Sequence, residues 1–316
     1  MQLVQFHETK MALGGDATIV IVANQHRDMT AIFNELWRVI FTFEKQFSRF
    51  LPQSELSQFN TRAGLWVPIS DEFADLLKTT IKLSQFTGSL YNPFILPALQ
   101  RSGYTHSAAP GYEADRDQDY RHRAVVPIDK LTVRDNQACI PYGTAFDLGG
   151  CGKGYLADTL ADLLDDAGFH SYWISLSGDM VTSGHDEHGS PWRTVIQNAY
   201  SDQIPAPVFV QTDGSRHAVA TSGTLRRVNQ KLSGKHHIID PSTGLSAKTD
   251  IRLATVVTTN ATEADVLASC AVLTGSKDSE DFLRARRVEA GYIQTTQSET
   301  MAFGQYLHTA SEVTYA

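Results

Sequence analysis

Hydrophobic residues recur at helical spacing in several segments of this chain. Within each segment the apolar side chains follow one another at intervals of three or four, so they share one face of a helix. The predicted helices comprise residues 29–50, 70–88, 155–164 and 260–275. Ser70, followed by acidic residues, and Gly88 supply a start and a stop signal for the second of these helices.

Shorter runs rich in β-branched and aromatic residues separate these segments and predict strands. They comprise residues 17–23, 171–178, 192–199, 206–212, 217–223 and 288–296. The stretch 131–142 predicts a hairpin, with Asp135 and Asn136 near its turn. Because helices and strands mix without a regular β-α-β rhythm, the pattern predicts an α+β fold.

Residues 106–124 are polar and show no apolar period, so we predict an exposed insertion loop there. The chain shows no internal repeat, low-complexity tract or clear linker. We therefore expect one domain over residues 1–316, folded as a single compact unit.

Composition narrows the functional classes. The chain has 316 residues, of which 42% are hydrophobic and 20% charged, and its formal net charge is −8. This charge argues against binding to nucleic acid or to an anionic membrane surface. No apolar run approaches the ~20 residues that a membrane-spanning helix needs. The N-terminus resembles no secretory signal and the three cysteines are widely separated, so we expect a cytoplasmic protein without disulfides.

The most unusual segment is AFDLGGCGKGYLADTL, residues 145–160. It lacks the Walker A pattern, because Gly154 follows Lys153 where a Ser or Thr would stand, and it lacks the G-x-G-x-x-G spacing. The glycines could serve only to let a helix pack closely against its neighbours. Alternatively, their exposed backbone groups, with Lys153 and Asp147, could bind a phosphate and a metal ion.

The predicted helix 260–275 carries Asp265 and Ser269 on one face, where their oxygens could bind one ion. The competing interpretation is a capping box, in which Thr262 and Asp265 close the start of the helix. The rest of the helix is apolar and should be buried, and a buried aspartate needs a cation or hydrogen bonds.

Two further segments each contain a pair of nearby histidines. In GKHHIIDPSTG, residues 234–244, an Asp-Pro turn ends at Gly244, and strand alternation would put His236 and His237 on opposite faces. A lone histidine is more often structural than functional, so spacing alone assigns neither a role. In residues 183–190 two histidines flank two acids, but the flanking glycines favour a hairpin tip over a metal site.

Several motifs occur in one order and together resemble the ApbE family, the FAD:protein FMN transferases. The resemblance extends from about Gly14 to Gly275. The motifs are residues 47–60, 146–158, 219–227, 236–244 and 263–269. It implies a T-fold-like arrangement of mixed β-sheets with packed helices.

The resemblance also implies a reaction. In this family a Mg²⁺ ion grips the pyrophosphate of FAD, and a Ser or Thr hydroxyl of a target protein attacks the FMN-side phosphorus. AMP leaves, and FMN stays on the target, whose acceptor motif is typically D-x-[ST]-[AGS]-A-[ST]. Two alternatives remain open, namely an FAD pyrophosphatase with the same metal site and a flavin-binding protein without catalysis.

Site residues follow from the resemblance position by position. The metal ligands would be the carbonyl of Gly150 and the side chains of Asp265 and Ser269. The catalytic residues would be His237, as general base, and Lys153. The FAD-binding residues would be Phe50, Tyr91, Asn92, Asp147, Lys153, Thr221, Ser222 and His237.

This chain departs from the family at several positions. Phe50 stands where relatives often carry a Tyr, Asn92 replaces an aspartate, and Ser269 replaces the commoner Thr. Residues 176–179, LSGD, replace a typical Gly-Gly-Asp, and Cys151 stands where Ile is common. None of these departures removes a predicted metal oxygen or His237. The Arg226–Arg227 pair could meet a phosphate or a target peptide, and the sequence does not decide its role.

Overall fold

Helices and strands succeed one another irregularly along the chain. The computed structural model describes residues 2–105, 125–201, 206–225 and 235–309. Within them the α-helices are α1 (Thr30–Phe47), α2 (Glu55–Thr61), α3 (Asp71–Phe86), α4 (Leu96–Arg101), α5 (Gly152–Asp166), α6 (Ala261–Thr274) and α7 (Ser276–Arg284). Short 3₁₀ turns span Pro93–Ile95 and Ile128–Lys130.

Strands make up the rest of the regular structure. They are β1 (Leu3–Ala12), β2 (Gly15–Asn24), β3 (Val67–Pro68), β4 (Thr132–Arg134), β5 (Gln137–Cys139), β6 (Tyr172–Leu176), β7 (Asp179–Ser183), β8 (Arg193–Val195), β9 (Val208–Gln211), β10 (His217–Gly223), β11 (Ile239–Asp240), β12 (Leu245–Ser246), β13 (Ile251–Thr258), β14 (Ala290–Thr295), β15 (Thr300–Gly304) and β16 (Leu307–Thr309). The predicted α+β class is confirmed.

The predicted helix cap, helix stop and hairpin turn all form at the expected residues. Ser70 caps α3, because its side chain accepts a hydrogen bond from the Phe73 amide at 3.1 Å. Gly88 follows α3 with φ 64°, a conformation that glycine adopts without strain. Asp135 and Asn136 form the turn between β4 and β5, with φ of 44° and 58°. Positive φ at both central residues is the geometry of a tight hairpin turn.

The contacts between Cα atoms divide the chain into two compact units. The first unit comprises Met1–Ile40, Lys153–Gly223 and Thr249–Ala316, and the second comprises Phe41–Gly152 and Thr224–Lys248. The single domain expected over residues 1–316 stays a prediction. The insertion loop predicted at 106–124 lies outside the described residues.

The first unit is built on an antiparallel eight-stranded sheet of order β1-β2-β6-β7-β10-β13-β14-β15. Helix α6 packs on strands β10 and β13. A three-stranded sheet, β16-β9-β8, also belongs to this unit. Buried Val219, Val257 and Tyr292 of the large sheet join Ile196 and Val210 in one hydrophobic cluster.

The second unit contains helices α2, α3 and α4 and two small sheets, β3-β5-β4 and β11-β12. Its core is rich in phenylalanine. Phe59 and Phe73 pack edge to face at 5.4 Å between ring centroids, and Phe94 and Phe146 do the same at 5.4 Å. Phe59 also meets Phe146 at 6.5 Å between ring centroids, so the four rings form one cluster.

Within the described ranges, no helix is both long enough and apolar enough to cross a bilayer.

Candidate functional site

Lys153 lies in the first turn of α5 and reaches two buried carboxylates of the first unit. Its ammonium forms an ion pair with Asp179, the first residue of β7, and lies 3.7 Å from Asp265 Oδ2 on α6. The side chains of Asp179 and Asp265 are each 6% exposed, and that of Lys153 is 22% exposed. Asp179, Asp265 and Lys153 together carry two carboxylates and one ammonium group. Their net charge is therefore negative, and a second cation could bind beside them.

Helix α6 presents Asp265 and Ser269 one turn apart, as the sequence predicted. The Ser269 hydroxyl lies 2.8 Å from that of Ser222 on β10, so Ser222 faces α6. Thr221 instead shares a hydrogen bond of 2.8 Å with Thr255 of β13. Successive side chains of a strand point to opposite faces, so Thr221 lies on the other side of the sheet from Ser222.

The capping-box interpretation of Asp265 is wrong. Asn260 is the N-cap of α6, and its side chain accepts the amide of Glu263 at 2.9 Å. The Thr262 hydroxyl donates to Asp158 Oδ2 at 2.6 Å, so it is not the cap. Asp265 lies farther along, on the second turn of the helix, and points towards Lys153. The expected burial of this apolar helix is confirmed, with Asp265 only 4% exposed.

The sequence motifs gave no role to Asp179. Ser177 and Gly178 form the turn between β6 and β7, with φ of 57° and 103°. This tight turn makes Asp179 the first residue of β7. One signal in the sequence could have indicated Asp179. It is a single acidic residue that directly follows the Ser177–Gly178 turn after a predicted strand.

In the second unit the Asp147 carboxylate makes one ion pair and accepts one hydrogen bond. Its Oδ1 lies 2.9 Å from Arg49 Nε in a buried ion pair, and its Oδ2 accepts a hydrogen bond from the amide of Gly149 at 2.9 Å. A Cβ atom on Gly149 would lie 2.8 Å from Oδ2, so any larger residue there would displace the Asp147 carboxylate. No role for Arg49 follows from the sequence, although it lies in the motif 47–60, because a lone arginine carries no spacing signal.

Arg49 also contacts two aromatic rings of the second unit. Its guanidinium lies 4.2 Å from the ring centroid of Phe50 and 4.5 Å from that of Tyr104. The ring of Tyr104 meets that of His237 at 6.2 Å between centroids. The structure therefore brings the predicted residues Phe50, Asp147 and His237 around Arg49 and Tyr104.

Tyr91 and Asn92 are both buried, and both contact other parts of the second unit. The Tyr91 hydroxyl donates to Cys151 Sγ at 3.0 Å, and a Cβ atom on Gly150 would lie 3.4 Å from Tyr91 Cε2. Tyr91 therefore lies directly against the glycine-rich segment. Asn92 uses its amide within the protein, accepting from the Phe94 amide at 2.9 Å and donating to the Val126 carbonyl at 2.9 Å.

The turn after His237 forms as predicted. Asp240 Oδ1 accepts the amide of Ser242 at 2.8 Å, and the Gly244 amide donates to the Asp240 carbonyl at 2.8 Å. The histidine that precedes this stretch, His236, is half-buried. Burial lowers the pKa of His236, and a hydrogen bond with the backbone of Ala247 opposes that shift.

The histidines of residues 183–190 lie in a turn of the backbone. Asp186 Oδ1 accepts the amides of His188 and Ser190 at 2.9 and 2.7 Å, and an isolated bridge joins His185 to Pro191. The predicted turn at this tip is confirmed. Nowhere in the described ranges do three or more His, Cys, Asp or Glu side chains cluster as metal ligands. Arg226 and Arg227 lie outside those ranges.

A sequence profile described as the ApbE family matches residues 13–292. A curated relative from Escherichia coli K12, named FAD:protein FMN transferase, is 28% identical over 263 residues, covering 80% of this chain and 73% of the relative. A relative of the same name from Treponema pallidum is 28% identical over 279 residues, covering 81% of this chain and 75% of the relative.

Solved structures show the same fold. The flavin transferase ApbE from Vibrio cholerae superposes with a TM-score of 0.77 at 24% identity, covering 95% of this chain and 97% of that one. The ApbE protein of Thermotoga maritima superposes with a TM-score of 0.80 at 21% identity, covering 94% and 96%. At these identities the superpositions establish the fold alone.

Proposed function

Because the chain belongs to the ApbE family, we propose that it is an FAD:protein FMN transferase, which moves FMN from FAD to a hydroxyl group of another protein. In the proposed reaction a Ser or Thr oxygen of the acceptor forms a bond to the FMN-side phosphorus. The bond from that phosphorus to the bridging oxygen breaks, and AMP leaves with this oxygen and its electron pair. The hydroxyl proton passes to a base.

The observation that carries the proposal is the position of Lys153 between the buried carboxylates of Asp179 and Asp265. Two buried acids next to one lysine are costly for folding alone, because each charge must be removed from water. Such a group is expected where a protein handles phosphates and a metal ion, since phosphoryl transfer depends mainly on positioning and charge neutralisation.

The donor set of the first unit fits Mg²⁺. The carboxylate of Asp265 and the hydroxyl of Ser269 are oxygen ligands, which Mg²⁺ prefers, and the Asp179 carboxylate lies beside the same lysine. We assign Asp265 and Ser269 as side-chain ligands, with the Gly150 carbonyl as the backbone ligand that the family resemblance implies. When bound, Mg²⁺ polarises the phosphoryl group and stabilises the charge of the leaving AMP.

Lys153 is assigned to the phosphates of FAD. Its ammonium is partly exposed, so it can donate to a phosphate oxygen while it remains close to Asp265. Ser222, which contacts Ser269, is assigned to FAD binding next to the ligand helix. Thr221 keeps the FAD-binding role that the resemblance implies, although its hydroxyl is paired with Thr255.

In the second unit the proposal assigns Phe50, Tyr91, Asn92 and Asp147 to FAD. Phe50 can stack on the flavin, but it has no hydroxyl to donate. Asp147 forms an ion pair with Arg49, which holds its carboxylate in one position. It would therefore serve FAD as a hydrogen-bond acceptor in a fixed place. His237 is assigned as the general base, a role worth a factor of about 10²–10⁴ in rate.

One incubation tests the activity. The protein is mixed with FAD, Mg²⁺ and an acceptor domain carrying D-x-[ST]-[AGS]-A-[ST], and the acceptor mass and the soluble nucleotides are measured. We expect one FMN adduct on the acceptor and an equal amount of AMP. An acceptor whose motif hydroxyl residue is replaced by Ala is the matched control and should stay unmodified.

The alternatives give different products. Free FMN and AMP with an unmodified acceptor would indicate an FAD pyrophosphatase, and unchanged FAD that stays bound would indicate a carrier. Either outcome overturns the transferase proposal. The acceptor motif and the cytoplasmic location remain predictions of the family resemblance and of the sequence.

A further inference from the structure

Helices α5 and α6 approach each other unusually closely at their N-terminal turns. A Cβ atom on Gly154 would lie 2.3 Å from the carbonyl oxygen of Ala261 and 2.7 Å from Thr262 Cα. These are backbone atoms that cannot move aside, so glycine is required at this position. The Gly154 amide also points at Asp265 Oδ2, at 3.4 Å. The start of α5 therefore lies against the start of the helix that carries the predicted metal ligands.

Asp158, one turn after Gly154 on α5, forms hydrogen bonds that join α5 to α6. Its Oδ1 accepts the amide of Ala261 at 2.9 Å, and its Oδ2 accepts the amide and the hydroxyl of Thr262 at 2.8 and 2.6 Å. The side chain is buried. Three hydrogen bonds thus join one carboxylate of α5 to the first two residues of α6.

These bonds complete the N-terminus of α6. The first amides of a helix have no partner within it and need capping. The side chain of Asn260 accepts a hydrogen bond from the amide of Glu263 alone, at 2.9 Å. Asp158 satisfies the two amides before it, and its negative charge also suits the positive end of the helix dipole. Helix α6 therefore depends on a residue more than a hundred positions away for its start.

Arg216 is the second partner of Asp158. Its guanidinium lies 3.1 Å from Asp158 Oδ1 and also donates to Asp162 on the exposed side of α5. Burial opposes the charge of this guanidinium, but the hydrogen bond with Asp162 and the charge of Asp158 raise the pKa of Arg216. Asp162 shares this arginine but makes no contact with α6 that the structure records, so it provides a matched control.

We propose that Asp158 is a positioning residue, which holds α6 in the register that lets Asp265 and Ser269 bind the metal ion beside Lys153. The inference rests on the proposed function. Lys153 and Asp158 both lie on α5. This one helix therefore carries the lysine that reaches Asp265 and the aspartate that binds the N-terminus of α6. If α6 shifts along α5, the 3.7 Å separation between Lys153 Nζ and Asp265 Oδ2 changes with it.

The decisive variant is Asp158→Asn, which keeps the shape but presents an NH₂ group to one of the amides of α6. The first measurement is the Mg²⁺ concentration that gives half of the metal-dependent rise in melting temperature, with FAD present and without acceptor. We expect this concentration to rise about tenfold, the low end of the effect of removing a residue that orients metal ligands. The Mg²⁺ dependence of FMN transfer should shift by the same factor.

Asp162→Asn is the matched control, because it removes a carboxylate that bonds Arg216 but does not cap α6. We expect its Mg²⁺ dependence to stay within about twofold of wild type, since exposed ion pairs contribute little. Thr262→Val is the second variant, which deletes only the hydroxyl that bonds Asp158. It should shift the Mg²⁺ dependence in the same direction by a smaller factor, and it tests the inference if Asp158→Asn does not fold.

The outcomes separate the inference from the proposed function. If wild type responds to Mg²⁺ and transfers FMN, but Asp158→Asn or Thr262→Val has the wild-type Mg²⁺ dependence, Asp158 is only structural and the inference is overturned. If Asp162→Asn shifts as much as Asp158→Asn, the ion pair with Arg216 and not the cap is responsible, which also overturns it. A wild type that shows no Mg²⁺ response overturns the proposed function and the inference together.

Discussion

Arg49 Nε lies 2.9 Å from Asp147 Oδ1 in an ion pair whose two side chains are only 8% and 6% exposed. A buried pair of this kind is not an efficient way to stabilise a fold, because both ions must be removed from water. The pair does, however, fix the position of the Asp147 side chain, which binds the amide of Gly149 in the glycine-rich segment. It also holds the guanidinium against Phe50 and Tyr104.

We expect Arg49→Met to lower the free energy of unfolding by about 3 kcal/mol, because it leaves the Asp147 carboxylate buried without its partner. Urea unfolding followed by circular dichroism measures this change. Arg38→Met is the control, since Arg38 pairs with Glu35 on the exposed face of α1 and its loss should change stability little. Equal effects of the two substitutions would contradict the importance of burial.

Asp265→Ala should reduce Mg²⁺-dependent FMN transfer by a factor of about 10³ or more, because loss of a metal ligand removes several kcal/mol of charge stabilisation. Ser269→Ala should act in the same direction with a smaller factor, since a neutral ligand is lost. Initial rates of adduct formation by mass spectrometry provide the measurement. Asp281→Ala, an exposed acid on α7, is the control and should retain wild-type rates. Wild-type rates in Asp265→Ala would remove this residue from the ligand set.

Gly154→Ala should destabilise the protein by about 1–3 kcal/mol, because the new methyl group would overlap the backbone of Ala261. Gly152→Ala is the control within the same helical turn. A Cβ atom there would meet only ordinary contacts, at 3.7 Å from Leu148 and 3.8 Å from Phe43. Alanine also favours a helix over glycine, so the control should be unchanged or slightly more stable. The midpoints of thermal unfolding compare the variants, and a stable Gly154→Ala would refute the close contact.

The stability of the protein should fall as the pH drops below about 6.5, in part because of His236. Burial holds the pKa of His236 below the ordinary value of 6.5, so the folded state resists protonation. The unfolded chain takes up the proton as the pH falls through that value, and the difference favours unfolding. Above it the imidazole is neutral in both states and makes no pH-dependent contribution.

Urea midpoints at about pH 7.5 and about pH 5.5 measure this effect. His236→Gln should reduce the loss of stability between the two pH values, whereas His26→Gln, at an exposed position of the first unit, should leave it unchanged. An undiminished loss in His236→Gln would show that other groups cause the pH dependence.

The elements with strong local signals were predictable from sequence. Ser70 and Gly88 bounded α3, and the Asp135–Asn136 turn formed its hairpin, because capping and turn preferences act within a few residues. Strand β1 was not predicted. Its side chains are mostly exposed or half-buried, so its pairing with β2 leaves only a weak alternation of polarity in the sequence.

At the candidate site, sequence motifs predicted Lys153, Asp265 and Ser269 as functional residues, and the structure brings these three together in the first unit. The motifs gave no role to Asp179, Arg49 or Asp158. Each is a single charged residue whose partner lies far away in the chain, and no periodicity or spacing encodes such a pair. Asp158, for example, bonds residues that follow it by more than a hundred positions.

By itself, the sequence determined the fold class, the positions of the longer helices and the family, because these depend on residue type, period and motif order. Only the tertiary structure decided which charges meet. It showed that Asp265 faces Lys153 instead of capping its own helix, and that a carboxylate from α5 caps α6. The physical reason is that a buried charge is stabilised by whatever partner the packed chain brings within a few ångströms, and packing is a property of the whole fold.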